Sequence, residues 1–194
     1  MGQATLPPRT HLFARDERVL GMLAQGAQTK RPGARHQLNP GDVVCGTRGD
    51  RLETLLGSCV AVVLTDPRRT VGAMCHIVHT GHGRRGKVMT GAYGEVAFEQ
   101  LFKLLRARGI NPLQCDAYVY GGGNMFPSRI STSCIGERNA RWVLHHLAYL
   151  GIRVVSHDLC GSAYRRLSWT VGTGAPHVVA MPAERALSAF PQNA

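Results

Sequence analysis

Residues 56–64, LGSCVAVVL, join a glycine-serine lead-in to the longest uncharged apolar run of the chain. Because this run is short and rich in valine, it predicts a buried β-strand. Asp66-Pro67 predicts a turn, and residues 71–78, VGAMCHIV, predict a second strand that follows it. Cys59 and His76 therefore lie on two neighbouring strands of the predicted sheet.

Cys59 and His76 are the parts of a nucleophilic pair. Gly57 has no side chain, so the backbone beside Cys59 can approach a substrate closely. An imidazole that takes the thiol proton leaves a thiolate, the form of cysteine that attacks electrophilic carbon. The alternative is a buried structural cysteine and a hydrogen-bonded core histidine. The Gly57-Ser58 lead-in favours a catalytic role for Cys59, because a strand start that has a glycine in place of a larger side chain contributes little to packing.

Two residues next to Cys59 and His76 are weaker candidates for a catalytic role. Ser58 could be a nucleophile, but the Gly-x-Ser-x-Gly elbow is absent, and cysteine is more nucleophilic at neutral pH. Cys75 should point to the face of its strand opposite to His76, so we expect it to serve packing.

The rest of the chain predicts an α+β fold, in which a mixed, largely antiparallel sheet carries two long helices. Apolar residues recur at helical spacing in two segments, and each segment ends before a glycine. Short β-rich runs predict the remaining strands, the last two as a hairpin. The helices are predicted over 94–108 and 136–150, and the strands over 43–45, 117–120, 152–156, 167–171 and 177–181.

Three further patterns have structural explanations that we prefer. Residues 121–124, GGGN, resemble a phosphate cradle but lack the Gly-Lys-Ser/Thr ending, and predict a tight turn that approaches another segment. Residues 137–139, ERN, open the second helix and are expected to cap it and carry surface charge. A metal site at His76, His79 and His82 with Cys75 is disfavoured, because three-residue spacing on a strand sends His76 and His79 to opposite faces.

The chain has 194 residues, a net charge of +11 and a pI near 10.1. Its paired arginines lack interleaved aromatic residues, which favours a solvated basic surface over nucleic-acid binding. No apolar run is long enough for membrane insertion, and no signal-peptide core is visible, so a cytoplasmic protein with free thiols is expected. Residues 1–36 predict a poorly ordered basic arm, 37–181 the folded domain, and 182–194 a flexible tail.

The sequence resembles the chemoreceptor glutamine deamidase family CheD over roughly residues 38–181. Segments that carry this resemblance occur in order along the chain. They are residues 54–62, TLLGSCVAV; 71–76, VGAMCH; 93–95, YGE, with Ala97; 121–126, GGGNMF; 135–139, IGERN; and 154–161, VVSHDLCG.

The resemblance implies a three-layer α/β sandwich like the catalytic domain of cytotoxic necrotizing factor toxins. It also implies deamidation of glutamines on methyl-accepting chemotaxis receptors and, in some members, a CheC-type phosphatase partner. The family nucleophile falls on Cys59 and its base on His76. A family threonine, six positions before the cysteine, falls on Glu53, with Thr54 one place later, so either residue could orient the imidazole.

The chemistry expected from these residues needs no metal or cofactor. Cys59 would attack the glutamine amide, and His76 would move the protons. Backbone N–H groups would stabilise the oxyanion, and we place oxyanion or substrate-binding roles at residues of the lead-in and the glycine-rich loop. These residues are Gly57, Ser58, Gly122 and Asn124.

Two other function classes stay open. A non-catalytic chemotaxis regulator would bind receptors or a CheC-type phosphatase, and Cys59 would then show ordinary reactivity toward iodoacetamide, whereas a depressed thiol pKa would indicate an enzyme. A basic nucleic-acid binder would show salt-dependent retention on DNA.

Overall fold

The computed structural model describes residues 33–80, 90–125, 134–172 and 174–182. This part of the chain holds nine strands, two α-helices and a short 3₁₀ turn at Pro112–Gln114. The strands are β1 (Arg35–Leu38), β2 (Val43–Thr47), β3 (Arg51–Leu56), β4 (Val60–Thr65), β5 (Val71–Ile77), β6 (Asp116–Gly121), β7 (Arg153–Leu159), β8 (Tyr164–Thr170) and β9 (His177–Met181). The helices are α1 (Gly94–Arg106) and α2 (Ile135–Tyr149).

The strands form two mixed sheets. One sheet has the order β2-β5-β4-β6-β7, and the other has the order β1-β3-β8-β9. Only the β1–β3 and β6–β7 pairs are parallel. The α+β class and the largely antiparallel pairing are thus confirmed, as is the β8–β9 hairpin. The expected single sheet is instead two sheets, because the chain leaves β3 at Leu56 and enters the other sheet at Val60.

Side chains of β4 and β5 alternate between two apolar cores, one on each face of the five-stranded sheet. Val60, Val62 and Leu64 pack with apolar residues of α1 and α2. Ala61 and Val63 pack instead with side chains from β3 and β8, between the two sheets. The second core fixes the position of the site, because the alternation of β5 directs His76 to this face.

The same alternation sends Cys75 to the helix-side core, where it is fully buried. The expected packing role of Cys75 is therefore confirmed.

Both helices form where the apolar periodicity predicts them. α1 buries Ala97, Phe98, Leu101 and Leu105 against the five-stranded sheet, and α2 does the same with Ala140, Val143 and Leu147. Glycines at 109 and 151 follow the helices with positive φ angles of 74° and 69°. A left-handed conformation costs glycine little, so each residue ends its helix.

Several strands differ from expectation. β1 begins at Arg35, inside the segment expected to be a poorly ordered arm, and β3 was not predicted. Neither strand has strict apolar alternation, and each forms through pairing with distant segments. β7 extends beyond residue 156 to Leu159 because it pairs in parallel with β6. Residues 1–32 and 183–194, with most of the expected arm and tail, lie outside the described residues. Within the described ranges, no helix is long and apolar enough to cross a membrane.

Candidate active site

Thr54 and His76 meet across the space between the two sheets. Thr54 Oγ1 lies 2.8 Å from His76 Nδ1 and 2.9 Å from the carbonyl oxygen of Leu38. A carbonyl can only accept, so the single hydroxyl proton of Thr54 is donated to Leu38. The hydroxyl must then accept from Nδ1–H, which leaves the lone pair of the neutral imidazole on Nε2.

The environment of His76 keeps its ring neutral. His76 is only 2% exposed, and burial lowers its pKa to about 4, although the Asp42 charge and the Leu38 carbonyl act in the opposite direction. Its Nε2 is buried and has no hydrogen-bond partner in the described part of the chain. A buried imidazole with an unshared Nε2 lone pair is suited to act as a general base.

Cys59 lies directly before β4, where the chain crosses between the sheets. Its side chain is partly buried and packs against the inter-sheet core. Ala61 pairs with His76, and Cys59 lies two residues before Ala61 on the same face. Diagonal neighbours of this kind have Cα atoms about 7–8 Å apart, within reach of a histidine ring.

The resting state of this pair differs from the sequence-based expectation. Burial raises the pKa of the Cys59 thiol, and burial lowers that of His76. Both groups are therefore neutral at pH 7, and these pKa directions favour a thiol and a neutral imidazole over a preformed thiolate.

Three consecutive carbonyl groups around Cys59 are anchored by hydrogen bonds. Gly123 N–H donates to the carbonyl oxygen of Gly57 at 2.8 Å, and Gly122 N–H donates to that of Cys59 at 2.7 Å. The Nδ2 group of Asn139 donates to the carbonyl oxygen of Ser58 at 3.2 Å. The backbone from Gly57 to Cys59 is thus held at each of its three carbonyl groups.

The glycine-rich loop at 121–124 approaches another segment, as its sequence predicts. Gly121 has a φ of +112°, and a Cβ there would lie 2.2 Å from the carbonyl oxygen of Cys59. Only glycine permits both this conformation and this approach. The loop therefore supports the backbone of Cys59.

Among the residues expected to bind an oxyanion or the substrate, some N–H groups already donate a hydrogen bond and others do not. The N–H groups of Gly122 and Asn124 already donate, to the carbonyl oxygens of Cys59 and Gly161, so neither is available to an oxyanion. Within the described residues, the N–H groups of Ser58 and Cys59 donate to no acceptor. Beside them, a Cβ on Gly57 would lie 3.2 Å from atoms of Met125 and Tyr164.

Asn139 has a role that the sequence did not predict. The expected capping and surface role is wrong for this residue: it is 1% exposed, and the N-terminus of α2 has no side-chain cap. Asn139 Nδ2 donates to the carbonyl oxygens of Ser58 and Val78. Its helical spacing from the buried residues Gly136 and Val143 was the signal that it faces the core.

Comparison with known proteins identifies the family. The family model described as CheD chemotactic sensory transduction matches residues 79–179. The chain is 32% identical over 140 residues to "Probable chemoreceptor glutamine deamidase CheD" of Pseudomonas fluorescens (strain SBW25), with 71% of this chain and 79% of that protein covered.

A second relative, from Albidiferax ferrireducens, is named "Probable chemoreceptor glutamine deamidase CheD 2". It is 33% identical over 141 residues, with 71% of this chain and 82% of that protein covered. The chain belongs to the CheD family.

In this CheD chain, the structure distinguishes between Thr54 and Glu53 as the residue that contacts His76. The structure brings Thr54, and not Glu53, to the imidazole of His76. Glu53 lies on the other face of β3, where it bonds Arg35 and Arg51. Burial raises the pKa of Glu53, but the hydrogen bonds of the two arginines outweigh it and hold the pKa below its usual value.

The histidines considered for a metal site have separate partners in this CheD chain. His76 bonds Thr54, whereas His79 is exposed and its ring contacts Tyr93 with 5.4 Å between centroids. His82 lies outside the described residues. Across the ranges that the structure describes, no group of three His, Cys, Asp or Glu side chains could hold a metal ion.

Proposed function

We propose that this chain is a chemoreceptor glutamine deamidase, which hydrolyses glutamine side-chain amides of methyl-accepting chemotaxis receptors to glutamate and ammonia. The proposal rests on the buried, neutral His76, whose hydrogen bond to Thr54 leaves the Nε2 lone pair unshared. Cys59 would be the group that gives its proton to this lone pair. The names of the CheD relatives support the choice of substrate.

The first step forms a thioester. Cys59 Sγ attacks the amide carbon while its proton passes to His76 Nε2, and the carbonyl electrons move onto oxygen. The N–H groups of Ser58 and Cys59 stabilise this oxyanion. When the intermediate collapses, the C–N bond breaks and His76 returns its proton to the leaving nitrogen, which departs as ammonia.

The second step hydrolyses the thioester. His76 Nε2 takes a proton from water as the water oxygen attacks the thioester carbon. A second tetrahedral intermediate forms, and the C–S bond breaks as the proton returns to sulfur. The products are a glutamate side chain and the Cys59 thiol, so no net proton or electron is left unaccounted for.

We also propose the finer architecture that the family resemblance implies. The helices, the five-stranded sheet and the four-stranded sheet would be the layers of a sandwich like the catalytic domain of cytotoxic necrotizing factor toxins. Two apolar cores, one on each face of the five-stranded sheet, support this arrangement. The deamidase domain would span residues 37–181, between the arm at 1–36 and the tail at 182–194.

The cellular setting is part of the same proposal. The substrate glutamines would lie on the cytoplasmic portions of the receptors, and the protein would act in the cytoplasm. A CheC-type phosphatase would be its regulatory partner.

The test is peptide mapping of a receptor cytoplasmic fragment after incubation with the protein. We expect a gain of one dalton at particular glutamines with the wild-type chain and none with Cys59→Ala. Cys75→Ala is the matched control, because that thiol is buried in the helix-side core, and it should keep the activity. Deamidation that persists in Cys59→Ala would rule out the assigned nucleophile, and a wild-type chain that binds the fragment without deamidating it would indicate a regulator.

A further inference from the structure

The peptide groups that flank Cys59 are held by two elements, the glycine-rich loop and helix α2. The carbonyl oxygens of Gly57 and Cys59 accept from backbone N–H groups of the glycine-rich loop. The carbonyl oxygen of Ser58 lies between them and accepts from a side chain, Nδ2 of Asn139, at 3.2 Å. The middle anchor is thus the one that depends on a side chain.

The hydrogen bond from Asn139 to the Ser58 carbonyl also determines the direction of the next N–H group, that of Cys59. In a planar trans peptide, the C=O and the following N–H point in opposite directions. Because Asn139 holds the Ser58 carbonyl, the N–H of Cys59 must point away from the Asn139 amide. That N–H donates to no acceptor in the described residues and belongs to the residue that attacks the substrate.

Asn139 is also tied to the strand that carries the base. Its Nδ2 donates to the carbonyl oxygen of Val78 at 3.0 Å, two residues after His76. The amide orientation follows from these contacts, because the reverse orientation would direct its oxygen at two carbonyl oxygens. Asn139 is buried, so the two hydrogen bonds have no competition from solvent.

We propose that Asn139 is the positioning residue of the oxyanion site: it orients the Ser58–Cys59 peptide so that the Cys59 N–H meets the negative oxygen of the tetrahedral intermediate. Asn139 does not touch the substrate and takes no part in proton transfer. This inference rests on the proposed deamidase function.

The experiment separates oxyanion stabilisation from thiol reactivity. Alkylation by iodoacetamide needs the Cys59 sulfur but forms no oxyanion, whereas deamidation needs both. Asn139→Asp is nearly isosteric and replaces the donor with an oxygen. We expect its kcat for receptor deamidation to fall on the order of 100-fold, as for loss of one oxyanion donor. KM, and the rate and pH dependence of Cys59 alkylation, should stay within about threefold of wild type, because the substrate-binding surface and the thiol are unchanged.

Asn139→Ala removes the donor without adding a buried charge and should show the same split if Asn139→Asp does not fold. His145→Gln, at an exposed position of the same helix, is the control and should behave as wild type. The proposal is overturned if both variants keep the wild-type kcat. It is also overturned if deamidation and alkylation fall by the same factor, since Asn139 would then act on the Cys59–His76 pair. A wild-type chain that does not deamidate receptors overturns both this inference and the proposed function.

Discussion

Replacing Thr54 with valine removes one hydroxyl from the site and nearly preserves the shape of the side chain. Thr54 is 1% exposed, and its hydroxyl joins the carbonyl oxygen of Leu38 to Nδ1 of His76. In Thr54→Val, Nδ1–H has no acceptor at this position. The ring then loses the contact that favours the proton on Nδ1, and a ring with its proton on Nε2 cannot accept one from Cys59.

The size of the effect follows from the cost of an unsatisfied buried donor. Leaving Nδ1–H without an acceptor costs about 1–3 kcal/mol. Because about 1.4 kcal/mol corresponds to a factor of ten, the ratio of the Nδ1–H tautomer to the Nε2–H tautomer should fall roughly 5- to 150-fold. We expect kcat for receptor deamidation to fall, by at most this factor, since the Nδ1–H tautomer acts in the chemical step.

The assay compares three variants. Thr54→Val should lose activity, whereas Thr54→Ser keeps a hydroxyl and should retain most of it. Glu53→Gln should also remain active, because Glu53 lies on the other face of β3 with Arg35 and Arg51. Nitrogen NMR of the imidazole should show the proton on Nδ1 in the wild type and a shift toward Nε2 in Thr54→Val. Wild-type kcat in Thr54→Val, or an unchanged tautomer, would refute this role of Thr54.

Two further predictions concern acid and the glycine-rich loop. Burial lowers the pKa of His76 to about 4, so the acid limb of kcat/KM should lie near pH 4, and a limb near the ordinary histidine value would contradict the assigned burial. Because the unfolded state binds the His76 proton from about pH 6.5 downward and the folded state does not, the free energy of unfolding should fall by up to about 3 kcal/mol as the pH drops toward 4. Urea unfolding should show this loss in the wild type and a smaller one in His76→Gln. In Gly136→Ala, a Cβ would lie 2.4 Å from the carbonyl oxygens of Gly122 and Gly123, so the loop must move. Deamidation should fall at least about tenfold and stability by about 1–3 kcal/mol, whereas Gly174→Ala, with no atom within 4 Å of its Cβ, should match wild type in both assays.

Sequence reasoning reached the parts of the fold and site that depend on local pattern. The apolar run after Cys59 and the run around His76 predicted adjacent strands, and the structure pairs them antiparallel with Ala61 opposite His76. Alternation along β5 placed Cys75 and His76 on opposite faces. These inferences needed only the two-residue period of a strand.

Features that depend on long-range pairing could not be predicted in the same way. The choice between Glu53 and Thr54 required the facing of β3, which is set by its pairing with β1 and β8. The division of the strands into two sheets has the same origin. Asn139 was misassigned because its position near a helix start indicated capping, whereas α2 turns that residue toward the carbonyl groups of Ser58 and Val78.

The covalent intermediate offers a decisive measurement. The protein is mixed with a receptor peptide that contains a target glutamine, quenched in acid during turnover, digested and analysed by mass spectrometry. If Cys59 is the nucleophile and His76 its base, the fragment containing Cys59 will carry the peptide less one ammonia, and His76→Gln will suppress that adduct. Deamidation without an adduct at Cys59, or with an adduct on another residue, would contradict the mechanism.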